Sequence, residues 1–175
     1  MAPSAILFVL SFLACLTIRL VSAELRNVTI DDASPAVDYY PLSEWNARPG
    51  ACSSCQADPD ASQAYDGTWH DTSYDPGQSA APLNATLTFN GSAVYVYCII
   101  SHSSGDPDGN TDLHFMIDDD VVGSTNIPPT GLSTYSYNYL VYSGQFPMGQ
   151  HTLTVVNGQD GGPWSMILLD YIIYT

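Results

Sequence analysis

Short segments of alternating apolar and polar residues dominate the chain after residue 23, and no helical period persists there for ten residues. Residues 85–89 alternate alanine, leucine and phenylalanine with threonine, which predicts a strand with one buried face. Asn90-Gly91 follows and predicts a two-residue hairpin turn, because both residue types tolerate a positive φ. The returning segment 93–100 is apolar on both faces, which predicts a central strand.

Similar segments recur along the chain, separated by clusters of Gly, Pro, Asn and Asp. An acidic turn at residues 118–120 divides two of them. The pattern predicts an all-β protein, a two-sheet antiparallel β-sandwich with long acidic loops. The predicted strands are 25–30, 85–89, 93–100, 113–117, 135–141, 151–156 and 166–174.

The amino-terminal segment is typical of a secretory signal peptide. Residues 6–18 form an apolar run that is shorter than the roughly 20 residues of a membrane-spanning helix. Val21-Ser22-Ala23 supplies small residues before a predicted cleavage site, although an uncleaved anchor is the alternative. We therefore expect a signal peptide over residues 1–23 and one β-sandwich domain over 24–175. The mature chain is then secreted, extracellular or associated with a cell wall, and has no membrane span.

The charge balance limits the partners. The chain has 18 Asp and Glu residues and 3 Arg, with no lysine, so its net charge is −15. Such a surface cannot assemble a basic patch, which excludes nucleic acid, anionic lipid and anionic polysaccharide as partners. The composition is compatible with a neutral ligand or a cation, and equally with a surface that is acidic only for solubility.

Three cysteines follow the predicted signal peptide. Cys52 and Cys55 lie in a loop rich in Gly, Ser, Pro and Asp, and we predict a disulfide between them because export permits oxidation. A zinc site would need a second pair of ligands at suitable spacing, and the sequence has none. Cys98 lies within an apolar strand and is predicted to be a buried free thiol.

Several blocks of sequence together carry a resemblance that covers nearly all of the mature chain. The most specific is Gly67-Thr68-Trp69-His70-Asp71, and the others are Val94-Tyr95-Val96-Tyr97, Gly149-Gln150-His151-Thr152-Leu153 and the closing segment 169–175. With these blocks the chain resembles a family of secreted or membrane-tethered proteins of basidiomycete fungi. The resemblance implies a galactose-binding-like jelly roll, and it implies no activity.

Aromatic residues in or beside the loops suggest a binding site for sugars. The apolar faces of sugars stack on flat aromatic rings, while neighbouring carboxylates and amides bind the hydroxyl groups. The alternative is that these aromatic rings close the ends of the sandwich. The predicted ligand-binding residues are Trp45, Tyr65, Asp66, Trp69, Asn157 and Trp164.

One carboxylate in the last strand requires a partner. By alternation Asp170 shares a face with Leu168 and Ile172, where an unpaired charge costs several kcal/mol. Galactose-binding-like modules often hold a structural calcium ion between the first and last strands, and Asp31 or Asp32 ends the first strand here. Oxygen ligands suit Ca²⁺, so we predict a calcium site at these residues. A hydrogen-bonded or edge-exposed Asp170 is the alternative.

These observations favour a non-catalytic carbohydrate-binding module that recognises a neutral glycan or cell-wall polysaccharide. A structural or adhesive surface protein that binds another protein is the alternative. A glycan-active hydrolase is a weaker reading, because the sequence contains no nucleophile elbow, no His-Glu-x-x-His and no phosphate loop.

The chain contains three acceptor sequences for N-linked glycans, at Asn27, Asn84 and Asn90. Each has Ser or Thr two residues later and no Pro between. Asn90 is the site we expect to be used first, because it lies at the predicted hairpin tip.

Overall fold

The computed structural model describes residues 25–50, 52, 55, 57–79 and 81–175, so the predicted signal peptide over residues 1–23 lies outside the described residues. Within that part of the chain the structure contains nine β-strands and three short 3-10 turns. None of the helical segments described there has the length and apolar character needed to cross a membrane.

The strands are numbered in chain order. They are β1 (Val28–Asp31), β2 (Val37–Tyr40), β3 (Asn46–Arg48), β4 (Trp69–Tyr74), β5 (Leu83–Ser101), β6 (Thr111–Ile117), β7 (Asp120–Ile127), β8 (Tyr135–Asn157) and β9 (Ser165–Tyr174). The 3-10 turns are Leu42–Glu44, Ala61–Gln63 and Tyr65–Gly67.

Two long strands, β5 and β8, pair antiparallel along their whole length and are shared by two sheets. The pairing register breaks between Gly91 and Ala93, where three residues of β8 lie opposite Ser92. The first half of β5 also pairs with β2, and its second half pairs with β9. One sheet therefore has the strand order β2-β5-β8-β6-β7. The other has the order β3-β4-β9-β5-β8. In this second sheet β1 and β4 pair with the same edge of β9, β1 with its carboxyl-terminal half and β4 with its amino-terminal half. This arrangement confirms the predicted two-sheet antiparallel sandwich.

The predicted hairpin turn at Asn90-Gly91 is wrong, because both residues lie inside β5. Gly91 serves a close backbone approach instead. A Cβ added there would lie 2.5 Å from the carbonyl oxygen of Thr175, which accepts the N–H of Ser92. The two-residue hairpin occurs between β6 and β7, within the predicted acidic turn, where Asp118–Asp119 has φ values of 52° and 71°.

Both sheets contribute inward-facing side chains to one main core, because apolar residues alternate along β5, β6, β8 and β9. Cys98 belongs to this core as a fully buried free thiol, as predicted, and its burial raises its pKa above the ordinary value. The largest residues of the main core with almost no exposed surface are Leu87, Ile100, Leu113, Phe115, Leu153, Ile167, Leu169 and Ile172.

A second apolar cluster forms on the opposite face of β9 and β5. It consists of Ala57, Trp69, Ile99, Met166 and Leu168, and the segment 57–67 packs over it. Two tyrosines of β8 hold this segment in place, since Tyr135 and Tyr137 accept backbone N–H groups from residues 58 and 60 through their hydroxyl oxygens. The predicted disulfide between Cys52 and Cys55 is present immediately before this segment.

We expect Gly158 to be required for packing as well as for backbone conformation. Its φ is 80°, and a Cβ added there would overlap the ring of Tyr74, a buried core residue. Gly161 is a matched control, because its φ is 71° and a Cβ there meets nothing within 4 Å. Gly161→Ala should lower the free energy of unfolding by about 1–2 kcal/mol. Gly158→Ala should lower it by roughly 1–3 kcal/mol more, because of the overlap.

Urea denaturation of the two variants measures this difference. Equal destabilisation by both substitutions would show that the contact with Tyr74 is not what requires glycine at residue 158.

Candidate ligand-binding site

A cleft of about 300 Å³ lies where β9 begins, at the edge of the sheet formed by β3, β4 and β9. Its polar walls come from Glu44 at the end of a 3-10 turn, Asn46 of β3, Asp71 of β4 and Asp106 of the loop after β5. Trp164, immediately before β9, is half-buried and supplies an aromatic ring to the lining. The cleft therefore combines one aromatic surface with several oxygen and nitrogen groups.

Hydrogen bonds fix the segments that carry these side chains. The carbonyl oxygen of Trp164 accepts the side-chain amide of Asn110 at 2.6 Å, and the N–H of Met166 binds the carbonyl of Asn110 at 2.8 Å. On the other side, the hydroxyl of Thr72 donates to the carbonyl oxygen of Glu44 at 2.6 Å. The turn before β3 and the segment before β9 are thus each tied to neighbouring structure.

Asp71 organises the floor of the cleft. Its Oδ1 accepts the side-chain amide of Asn46 at 3.0 Å, and its Oδ2 accepts the indole N–H of Trp69 at 3.3 Å. The guanidinium of Arg48 lies 4.0 Å from Oδ2 and stacks over the ring of Trp69. Burial raises the pKa of the Asp71 carboxyl, although the hydrogen bond from Asn46 and the charge of Arg48 act in the opposite direction.

Three of the predicted ligand-binding residues have no surface to offer a ligand. Trp69 is fully buried and Trp45 is 6% exposed, so neither ring has a free face on which a sugar could stack. Both close off the interior of the sandwich, as the alternative reading held. Asn157 is also fully buried, and its amide is held by the carbonyl of Thr72 and by Ser165. The prediction that these residues bind ligand is therefore wrong, whereas Trp164 lines the cleft.

The structure does not bring Tyr65 and Asp66 into the cleft. They form a 3-10 turn in which Tyr65 is 37% exposed and packs against Tyr171, with ring centroids 4.9 Å apart. The polar residues that do line the cleft, Glu44 and Asp106 among them, come from separate loops. No sequence motif marks these residues, so sequence reasoning missed them.

Asp170 lies at a β-bulge. The register between β5 and β9 shifts between Tyr97 and Cys98, which leaves Asp170 without an opposing residue. As a consequence Leu168 belongs to the second apolar cluster and Ile172 to the main core. The prediction that Asp170 shares one face with both neighbours is wrong, because the bulge moves the alternation by one residue.

Asp170 is nevertheless fully buried and links the first and last strands. Its carbonyl oxygen accepts the N–H of Asp32 at 3.1 Å, and its Oδ1 accepts the N–H of Tyr65 at 2.8 Å. Its Oδ2 is buried without a hydrogen-bond partner. Burial raises the pKa of Asp170 to about 7, and the charges of Asp32 and Asp31 add to this effect.

The two acidic residues at the end of β1 already have partners. Asp32 lies 2.6 Å from a ring nitrogen of His70 through Oδ2 and accepts the hydroxyl of Thr68 through Oδ1. Asp31 accepts a backbone N–H two residues later. Among the described residues, no three His, Cys, Asp or Glu side chains form a group that could hold a metal ion.

Comparison with known proteins identifies the fold. Neither a family model nor a curated protein matches the chain by sequence. A family 35 carbohydrate binding module from Clostridium thermocellum aligns over 85% of this chain and 97% of its own, at 8% identity and a TM-score of 0.50. CBM35 from Cellvibrio japonicus Abf62 aligns over 86% of this chain and 93% of its own, at 9% identity and a TM-score of 0.51. The chain thus has the β-sandwich fold of these modules, which confirms the predicted jelly-roll class.

We expect Asp170→Asn to stabilise the protein at high pH, measured with a chelator present throughout. A carboxyl whose pKa is raised in the folded state stabilises the fold below its ordinary pKa of 3.8, and this contribution is lost as pH rises through about 7. The variant should exceed the wild type by up to about 4 kcal/mol at about pH 8. This advantage should be roughly 2–3 kcal/mol smaller at about pH 5.

Denaturant unfolding at the two pH values measures the effect. Asp38→Asn is the control, because Asp38 is exposed on β2 and should leave the pH dependence unchanged. An advantage of Asp170→Asn that is the same at both pH values would contradict the raised pKa.

Proposed function

We propose that the protein is a non-catalytic carbohydrate-binding module whose ligand site is the cleft beside Trp164. The observation that carries this proposal is the half-buried indole ring of Trp164 in a cleft with Glu44, Asn46 and Asp106. A sugar stacks its C–H face on the indole while its hydroxyl groups bind the carboxylate and amide groups.

The chemistry of the walls supports a sugar over other small ligands. An exclusively apolar ligand would leave the carboxylates of Glu44 and Asp106 without partners on binding, which costs free energy. A hydroxylated ligand replaces the water that these groups lose. The fold supports the same proposal, because two solved structures that share it are named carbohydrate-binding modules.

The chain's charge limits the class of glycan. With a net charge of −15, and with no Lys, Arg or His side chain among the described residues that line the cleft, an anionic polysaccharide would be repelled. The proposed ligand is therefore a glycan without carboxylate or sulfate groups, such as a cell-wall polysaccharide.

Trp164→Ala should weaken glycan binding by at least about tenfold, or about 1.4 kcal/mol, because it removes the stacking surface. The measurement is a depletion assay on insoluble β-glucan, chitin and cellulose, followed by titration calorimetry with soluble fragments of any polysaccharide that binds. Tyr139→Ala is the control, because Tyr139 is 41% exposed and does not line the cleft. A folded protein that binds none of these polysaccharides, or binds equally well without Trp164, would refute the proposal.

We also propose that Ca²⁺ binds at Asp170, with Asp31 and Asp32 as the neighbouring acidic residues. The support is the buried, unpartnered Oδ2 of Asp170, which either a proton or a cation satisfies. Bound Ca²⁺ would supply the compensating charge, and Asp31 and Asp32 would have to exchange part of their hydrogen bonding for coordination.

Addition of Ca²⁺ to the chelated protein at about pH 8 should then raise the melting temperature by roughly 5–10 °C at a hundredfold excess over the dissociation constant. The variant Asp170→Asn should show no such rise, because it lacks the carboxylate. A wild-type melting temperature that does not respond to Ca²⁺ would leave protonation as the way in which Asp170 is neutralised, and the calcium proposal would fail.

We propose further that the protein is secreted and carries N-linked glycans at Asn27 and Asn90. Both side chains belong to exposed residues. Asn84, in contrast, lies in the middle of a sheet between β2 and β8, and its Oδ1 is buried. Modification at Asn84 would therefore have to precede folding of β5.

A further inference from the structure

A second cavity of about 560 Å³ adjoins the Trp164 cleft. Tyr40, Pro41, Asp75 and Gln78 are among its lining residues. Glu44 and Ser73 line both cavities, so the two meet along these side chains. The Trp164 cleft and this second cavity therefore share a wall, and we call the two together the double groove.

The double groove has an aromatic residue in each of its two parts. Trp164 lines the first cavity and Tyr40 lines the second. Tyr40 is 72% exposed, so most of its ring is free to contact a ligand. Each cavity alone has a volume within the range of roughly 300–1,000 Å³ that is typical of small-ligand sites. This arrangement fits a chain of several sugar rings better than a single sugar.

The double groove is lined by acidic side chains. In the part of the chain that the structure describes, its lining includes the carboxylates of Glu44, Asp71, Asp75 and Asp106, and no Lys, Arg or His side chain. Asp71 is bound by Asn46 and Trp69, as described above.

Asp75 accepts the N–H of Gly77 at 2.8 Å and the side-chain amide of Gln78 at 2.7 Å. The carboxylates that remain for a ligand are thus those of Glu44, where the two cavities meet, and Asp106, near Trp164. Both residues are exposed.

We infer that the double groove binds an oligosaccharide of amino sugars that carry free ammonium groups, such as deacetylated chitin. An ammonium group forms a charge-assisted hydrogen bond with a carboxylate, which an N-acetyl group cannot form. The groove therefore distinguishes the charged chain from its neutral, acetylated counterpart. This inference rests on the proposed function and specifies the ligand of that same site.

The test is titration calorimetry with two chito-oligosaccharides of equal length, one fully deacetylated and one fully N-acetylated. The titration is carried out at about pH 5.5, where the amino groups of the sugar are protonated. The deacetylated chain should bind at least tenfold more tightly, and added salt should reduce that preference. Glu44→Gln and Asp106→Asn should each reduce the preference about threefold or more, with less effect on the acetylated chain.

A protein with a net charge of −15 attracts any polycation, so a matched control is essential. Asp119→Asn removes one exposed carboxylate from the hairpin between β6 and β7, away from the lining of the double groove, and should leave the preference unchanged. An equal loss of preference in Asp119→Asn and Glu44→Gln would show attraction by overall charge, which overturns the inference.

Chain length provides a second readout. Trp164→Ala should weaken binding of short and long deacetylated chains, whereas Tyr40→Ala should weaken only chains long enough to enter the second cavity. If the protein binds none of the glycans tested, or if Trp164→Ala weakens binding to none of them, the proposed function itself is refuted. Binding that depends on Trp164 but is equally tight for acetylated and deacetylated chains leaves the function intact and refutes the inference about the amino sugar.

Discussion

The continuous pairing of β5 with β8 is the constraint on which the rest of the structure depends. A strand cannot leave its partner without exposing unpaired N–H and C=O groups, so the two strands must pass from one sheet to the other together. They do so at the register break near Gly91, where the absence of a Cβ lets the backbone of Thr175 approach. Once this pair is formed, β2 and β6 can add only to one of the two sheets, and β9 can add only to the other.

The position of the candidate ligand-binding cleft follows from where β9 begins. Because β9 lies between β4 and β5, the segment before it carries Trp164 to the same edge as β3 and the loop after β5. Asp71, at the floor of the cleft, accepts a hydrogen bond from Trp69 and lies near Arg48. Because Trp69 belongs to the second apolar cluster, the floor of the cleft packs directly against that cluster. The rim of the candidate cleft is thus built from loops, while its base lies on the strands β3, β4 and β9.

Alternation along the chain was enough to predict the sandwich and most of its long strands, because burial of one face imposes a period of two. It did not predict β2, β3, β4 or β7, which are short or largely polar, so their positions depend on tertiary pairing. Two local signals were overridden by contacts distant in sequence. Asn90-Gly91 has the composition of a turn but is held in a strand by pairing with Gln150 and Gly149 of β8, and Asp170 lies at a bulge that alternation cannot reveal. Of the aromatic candidates, only Trp164 reached the cleft, since sequence gives no measure of burial for residues in loops.

Sharing β5 and β8 between the two sheets also determines how the molecule opens. In a sandwich whose sheets are joined only by loops, one sheet can loosen while the other persists. Here the same two strands supply the hydrogen bonds at the centre of both layers, so neither layer forms an independent cooperative unit. We therefore expect the amide protons of the strands in both layers to exchange through the same global unfolding event.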